Sequence, residues 1–265
     1  MFSKIFRKLV DISPNLSLKL WQFFYNIVAI RFSKLSAWKY MNYGFSDQTN
    51  LSPESYEDLS ANLYKHLFNK VDFSGKDSLE VGCGRGGGCD LLLDYHPKSI
   101  TGLDFSAKGI KFCQKTYHEK PLTFVAGNAE DIPFQDHSFD VVINVESSHC
   151  YGNRIKFFEE VYRVLRPGGY FLYADFMGTV HYHKRPIQLV NVGFTIQDEQ
   201  DITANVLRSM DKSANYKIEM VEKNVPKPFR KAINDFVGVP GSNIYDNFSS
   251  KKSTYFSFIC IKPSA

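Results

Sequence analysis

The sequence predicts an α/β protein, a mostly parallel sheet of seven strands with helices on both faces, preceded by an N-terminal helical cap. Three observations predict it. From Ser78 onward, short apolar runs alternate with stretches of helical spacing, the pattern of a parallel sheet crossed over by helices. The first of those runs ends in the glycine-rich turn "LEVGCGRGGGC", where the backbone can bend sharply and approach a ligand closely. The chain has 265 residues, 43% of them hydrophobic, enough for one large core or for a domain with a cap.

The cap comes first. Up to Tyr40 the chain carries Lys4, Arg7, Lys8, Lys19, Arg31, Lys34 and Lys39 against a single acid, Asp11, among many aromatic residues. One or two amphipathic helices fit this composition, either as a lid or as a peripheral membrane contact. The run "LWQFFYNIVAI" is too short for a bilayer span, which needs ~20 residues. In "SPESYEDLSANLYKHLF", Ser52 can cap a helix, Pro53 suits its first position and Glu54 its positive end. Tyr56, Leu59, Leu63 and Leu67 then recur on one face. Residues 1–50 are thus read as cap and 51–265 as the main domain.

Strands are expected at "SLEVG", "SITGLDF", "LTFVAGN", "FDVVINV" and "GYFLYADF", with helices at "SAKGIKFCQKTYHE" and "RIKFFEEVYRVL" between them. "GFTIQDEQDI" and the alternating "STYFSFICIK" complete seven strands. The stretch from "NVLRSM" to "KAINDFVGV" reads as helical, broken near Pro226 and Pro228. Segments near 177–192 and 204–238 are expected to form lids.

Charge and cysteine usage exclude several functions. The net charge of +4 is too small to argue for a nucleic-acid partner. Cys83, Cys89, Cys113, Cys150 and Cys260 are odd in number and form no CxxC pair, against a disulfide framework or structural zinc and in favour of a reducing, cytoplasmic setting. His181 and His183 in "HYH" are a weak metal signal, and no metal is expected. The opening segment has no signal-peptide cleavage pattern.

Three strand ends point to a nucleotide. Gly82, Gly84 and Gly87 satisfy GxGxxG, which alone also suits a dinucleotide fold or a turn with no ligand. Asp104 closes the second strand about twenty residues on, where a carboxylate can accept both ribose hydroxyls. Asn128 or Glu130, after the third strand, can accept from an adenine amine, with Ile132 or Phe134 against the ring.

"LEVGCGRGG", "GLDFS", "GNAEDIPF", "FDVVINVESSH" and "VLRPGGYFLYADF" resemble, in order and spacing, the class I S-adenosylmethionine-dependent methyltransferases. The resemblance implies a Rossmann-like sheet and S-adenosyl-L-methionine as cofactor. It assigns Gly82, Cys83 and Gly84 to the methionyl and ribose part, Glu80 to the methionine end, and Asp104 with Phe105 to the ribose side. Asn128, Ala129 and Glu130 would border the adenine, and Asn144 would lie beneath the sulfonium. Many members have Asp where this chain has Asn128; the amide keeps an acceptor oxygen. "WKYMNYGF", "HPKSITGLDFSAKGIKFCQK", "NVESSHCY" and "FVGVPGS" further resemble the phthiotriol/phenolphthiodiolone dimycocerosate methyltransferases. That implies O-methylation of a hydrophobic lipid- or polyketide-like acceptor, with Tyr43 closing over the cofactor.

In this fold the end of the fourth strand faces the transferred methyl group, which gives "NVESSHCY" its meaning. A hydroxyl acceptor must lose a proton, and histidine suits that near neutral pH. His149 is the candidate base, Glu146 its orienter or a substrate ligand, and Tyr151 a positioning group; His181 and His183 are rival bases. A C-methyltransferase acting on an alkene or enol would instead use Glu146 or Tyr151 to stabilise a cation. A non-catalytic cofactor-binding protein is the third reading.

Overall fold

The computed structural model describes residues 39–47 and 54–264. The basic, aromatic segment expected to form a cap lies outside the described residues, apart from a strap over 39–47. The strap is followed by helix α1 (Tyr56–Phe68). Ser52 and Pro53 also lie outside the described residues, and the start of α1 is set elsewhere. The Ser55 hydroxyl accepts from the Asp58 backbone N–H while the Asp58 carboxylate accepts from the Ser55 N–H, a reciprocal pair that satisfies two donors at once. Leu59, Leu63 and Leu67 are buried, as their spacing predicts.

The rest alternates: β1 (Asp77–Val81), α2 (Gly87–Leu92), β2 (Ser99–Asp104), α3 (Ala107–Thr116), β3 (Leu122–Ala126), β4 (Phe139–Val145), α4 (Arg154–Val164) and β5 (Leu165–Gly178). There follow α5 (Thr179–Tyr182), α6 (Lys184–Val192), β6 (Thr195–Asp201), α7 (Thr203–Asn224), α8 (Lys227–Val237), α9 (Asn243–Ser249) and β7 (Ser253–Ile261). All seven expected strands form, in the order β3-β2-β1-β4-β5-β7-β6. Only β7 runs against its neighbours. The expected break near Pro226 falls where α7 ends and α8 begins, with Pro226 as its N-cap. β5 starts four residues before the expected Gly169, because Leu165 already pairs with Phe139 ahead of an irregularity around the "RPGG" turn.

Each face of the sheet carries its own core. Leu63 and Leu67 of α1, Cys89 and Leu92 of α2, and Met210 of α7 pack on one side with Ile143 and Leu172. Phe157, Phe158 and Val161 of α4 and Leu189 of α6 pack on the other with Val142 and Phe171. The chain reverses its direction of strand addition between β1 and β4, and a crevice opens there at the carboxyl ends of the strands.

The strap is pinned across that crevice. Phe45 N donates to Leu59 O at 2.8 Å and Ser46 N to Asn205 O at 3.2 Å. The Ser209 hydroxyl donates to Tyr43 O at 2.9 Å. Among the described residues no helix is long and apolar enough to cross a membrane.

Candidate active site

The glycine loop after β1 turns back onto β2. Gly82 N and Cys83 N both donate to Leu103 O, at 2.7 and 3.0 Å. Gly82 has φ +76°, a region costly for residues with a Cβ. It also passes so close to the end of β4 that a Cβ there would lie 2.0 Å from the Ser147 hydroxyl oxygen. Next to the loop, the Asp104 carboxylate accepts from Gly84 N at 3.0 Å and from Ser106 N at 2.8 Å. Burial pushes its carboxyl up to about 6 against those two hydrogen bonds.

Loop, strand ends and strap enclose a cleft with about 1110 Å³ of empty space, part of it open to solvent. Of the residues expected at the cofactor, Gly82, Cys83, Gly84, Asp104, Phe105, Asn128 and Ala129 line it, as do Glu146 and Tyr151. Four others do not. Glu80 points under the loop, where Oε1 accepts from Tyr64 OH at 2.8 Å and Oε2 from the Cys89 thiol at 2.9 Å. Glu130 turns towards the start of α4, its Oε1 accepting from Gly152 N and Asn153 N. Asn144 is fully buried and braces the wall, its Nδ2 donating to Val81 O, Ser147 Oγ and Tyr151 OH. Tyr43 belongs to a second cavity.

That second cavity, with about 420 Å³ of empty space, part of it open to solvent, is bordered by strap residues Met41, Asn42 and Tyr43. Met41 and Glu146 border both spaces. His149 lines it, together with Lys217 of α7 and Phe236 and Val237 of α8. Tyr151 does not reach it: its hydroxyl is tied to Ser147 and Asn144 on the cofactor side. His181 and His183, the rival bases, are exposed and line neither space. Nor does any residue of the expected lid at 177–192, whereas α7 and α8 contribute to the second cavity.

Glu146 holds the junction. Its φ of +45° is unusual for a residue with a side chain, a strain that must be offset by its contacts. Its Oε1 accepts from Tyr43 N at 2.7 Å and from Tyr255 OH at 2.8 Å. Burial pushes its carboxyl up to about 7.

The group that orients His149 is Asp175, near the end of β5, rather than Glu146. His149 Nδ1 lies 2.8 Å from Asp175 Oδ1, and the His149 backbone N–H donates to Oδ2 at 3.0 Å. The Ser148 hydroxyl donates to the same Oδ2 at 2.6 Å. The imidazole also packs against Phe176, with ring centroids 4.5 Å apart. Burial alone would favour the neutral ring; Cys150 and the Asp175 carboxylate outweigh it and hold the His149 pKa well above the ordinary histidine value. Asp175 in turn stays below the usual carboxylate range, because His149 and Ser148 outweigh its burial. Asp175 was missed from sequence, although a lone acid at the end of the apolar run "YFLYAD" was a usable signal. Lys217, on the buried face of α7 four residues before Val221, was missed too.

A family model described as "Methyltransferase domain" matches residues 79–173, from β1 into β5. A probable phthiotriol/phenolphthiotriol dimycocerosates methyltransferase of Mycobacterium ulcerans is 44% identical over 182 residues, covering 68% of this chain and 70% of the relative. A fatty-acid O-methyltransferase of Mycolicibacterium smegmatis is 35% identical over 231 residues, covering 85% of this chain and 84% of the relative. In fold, the chain is similar to a cyclopropane synthase of Mycobacterium tuberculosis, with a TM-score of 0.69 at 15% identity over 88% of this chain and 94% of the other. The glycine loop, the carboxylate at the end of β2 and β4 with the polar group after it all fall within the matched residues, and the chain belongs to the S-adenosylmethionine-dependent methyltransferases, in the family of the mycobacterial phthiotriol/phenolphthiotriol dimycocerosates methyltransferases.

Proposed function

We propose that this methyltransferase methylates an oxygen of a hydrophobic, lipid- or polyketide-like molecule seated in the second cavity, with His149 as the base. One observation carries the proposal: an Asp-oriented histidine lines a cavity that shares Glu146 and Met41 with the cofactor cleft. The names of two relatives, a triol methyltransferase and a fatty-acid O-methyltransferase, support an oxygen acceptor on an apolar chain. Helices α7 and α8 then serve as the lid over that acceptor.

The cleft suits S-adenosylmethionine. The Asp104 carboxylate is poised for a ribose diol, the glycine loop presents backbone beside it, and Asn128 and Ala129 offer an edge for adenine. When bound, the cofactor supplies an electrophilic methyl group, and the protein's own task is to position and deprotonate the acceptor. Asp175 takes His149 Nδ1–H, which leaves Nε2 of the neutral ring as the proton acceptor. Asp104→Ala should weaken cofactor binding by about 1.5–3 kcal/mol, the scale of hydrogen bonds to a charged group. Calorimetric titration with S-adenosylmethionine checks this, and unchanged affinity would remove Asp104 from the ribose site.

The raised His149 pKa fixes the sign of a pH effect. Only the unprotonated ring accepts a proton, so kcat falls as pH drops through this pKa. Because the pKa is raised, the fall should begin at a higher pH than for an ordinary histidine. Asp175→Asn removes the carboxylate that holds the proton, so its acid limb should move to lower pH while its plateau drops. Profiles of kcat against pH for the two proteins decide this, and coincident limbs would dissociate the limb from the His149–Asp175 pair.

The proposal as a whole is tested by transfer of label from methyl-labelled S-adenosylmethionine into fractionated lipid extract. Label recovered as an O-methyl group in an apolar fraction is the expected result. Label on carbon, or in polar fractions alone, would overturn it.

A further inference from the structure

The second cavity contains a buried ammonium that has no hydrogen-bond or ion-pair partner among the described residues. Lys217 lies on α7 and is only 2% exposed, yet its Nζ makes no hydrogen bond among the described residues. No carboxylate comes within ion-pair distance of it there; Glu146, on the same cavity wall, has Oε1 engaged by Tyr43 N and Tyr255 OH. Two tyrosine faces offer partial compensation, with ring centroids 5.6 Å away for Tyr56 and 5.9 Å for Tyr43. Both are near the ~6 Å limit of a useful cation–π contact, too far to replace the lost hydration of an ammonium. Burial accordingly brings its pKa down to about 8, against the opposing influence of the Glu146 carboxyl, which still leaves it mostly charged at neutral pH.

We infer that Lys217 is a substrate-binding residue whose ammonium pairs with a carboxylate, so that the cavity selects an apolar chain bearing a carboxylate group. The inference rests on the second cavity being the acceptor site, and it narrows the acceptor class. The surroundings favour one negative charge. Burial moves Glu146, on the same wall, towards its neutral form, which lessens its repulsion of an incoming carboxylate. A single ammonium, with no arginine among the described residues that line the cavity, matches a monovalent carboxylate better than a phosphate, which calls for more donors. The remaining walls, among them Met41, Phe236 and Val237, suit the hydrocarbon that follows. A hydroxy acid would meet both groups, its carboxylate at Lys217 and its hydroxyl at His149.

The test is a binding comparison, independent of turnover. Full-length protein saturated with S-adenosylhomocysteine is titrated calorimetrically with dodecanoate and with dodecan-1-ol, both below their aggregation limits. Wild type should bind the acid at least about tenfold more tightly than the alcohol, about 1.4 kcal/mol. Lys217→Met should abolish that preference by weakening acid binding alone, and Lys217→Arg should keep it. Equal affinities in wild type would overturn the inference without recourse to any variant, and so would a preference that survives in Lys217→Met. Binding of neither probe would overturn both the inference and the assignment of the cavity to the acceptor. Loss of O-methyl transfer as the reaction class, with the acid preference intact, would leave Lys217's role standing.

Discussion

Replacing His149 with alanine should lower kcat by about 10²- to 10⁴-fold, the contribution of a positioned general base, with little change in cofactor affinity. The separation follows from geometry. His149 lines the second cavity and is absent from the walls of the cofactor cleft, so its removal leaves the loop, Asp104 and the adenine edge in place. The substitution also leaves Asp175, only 1% exposed, without its charged partner. Asp175 would retain the Ser148 hydroxyl and the His149 and Phe176 backbone N–H groups, so part of its hydrogen bonding survives. A stability loss of about 1–3 kcal/mol is therefore expected beside the loss of rate. Steady-state kinetics, calorimetry and thermal melts on one preparation separate the three effects. A rate that is unchanged while the melting temperature falls would make His149 a structural residue.

The second large effect is expected from Gly82→Ala. The new Cβ would stand 2.0 Å from Ser147 Oγ and 2.6 Å from Ser147 Cβ, distances that no side-chain rotation can accommodate. Forcing a side chain into such a packed position costs about 1–3 kcal/mol, and the φ of +76° adds about 1 kcal/mol. Ser147 cannot yield alone, because its hydroxyl is tied to Tyr151 and to Asn144, which also holds Val81 O. The displacement must then pass into the loop or the cleft wall. Cofactor affinity should fall at least tenfold together with a lower melting temperature. A variant with wild-type affinity and stability would mean that the loop and the end of β4 are not in the contact described.

Much of the site was legible because its signals are local in the chain. "LEVGCGRGG" carries its own turn, and Asp104 is placed by the length of one strand and one helix. The polar group after β4 stands out against "FDVVIN". What escaped were groups that become neighbours only through the sheet and the long helix. Asp175 meets His149 across 26 positions, because β5 lies beside β4. Lys217 meets the site because α7 folds back over the strap. Glu80, Glu130 and Asn144 do not line the cleft, for a related reason. Position at a strand end suggests a ligand, but the pleat decides which face each side chain takes. Glu80 therefore points to Tyr64 and Cys89, and Asn144 to the back of the wall.

The strap over 39–47 has a consequence for the order of events in turnover. It is one wall for two spaces: Lys39 and Tyr40 line the cofactor cleft, Asn42 and Tyr43 line the second cavity, and Met41 touches both. If the proposed acceptor occupies the second cavity, a shared wall links the two occupancies. Whatever one ligand contributes to seating the strap is contributed equally to the binding of the other, since the coupling is reciprocal. Five strap residues, Lys39 to Tyr43, carry that link, so a substitution at Met41, the one that lines both spaces, is where it should be most easily perturbed.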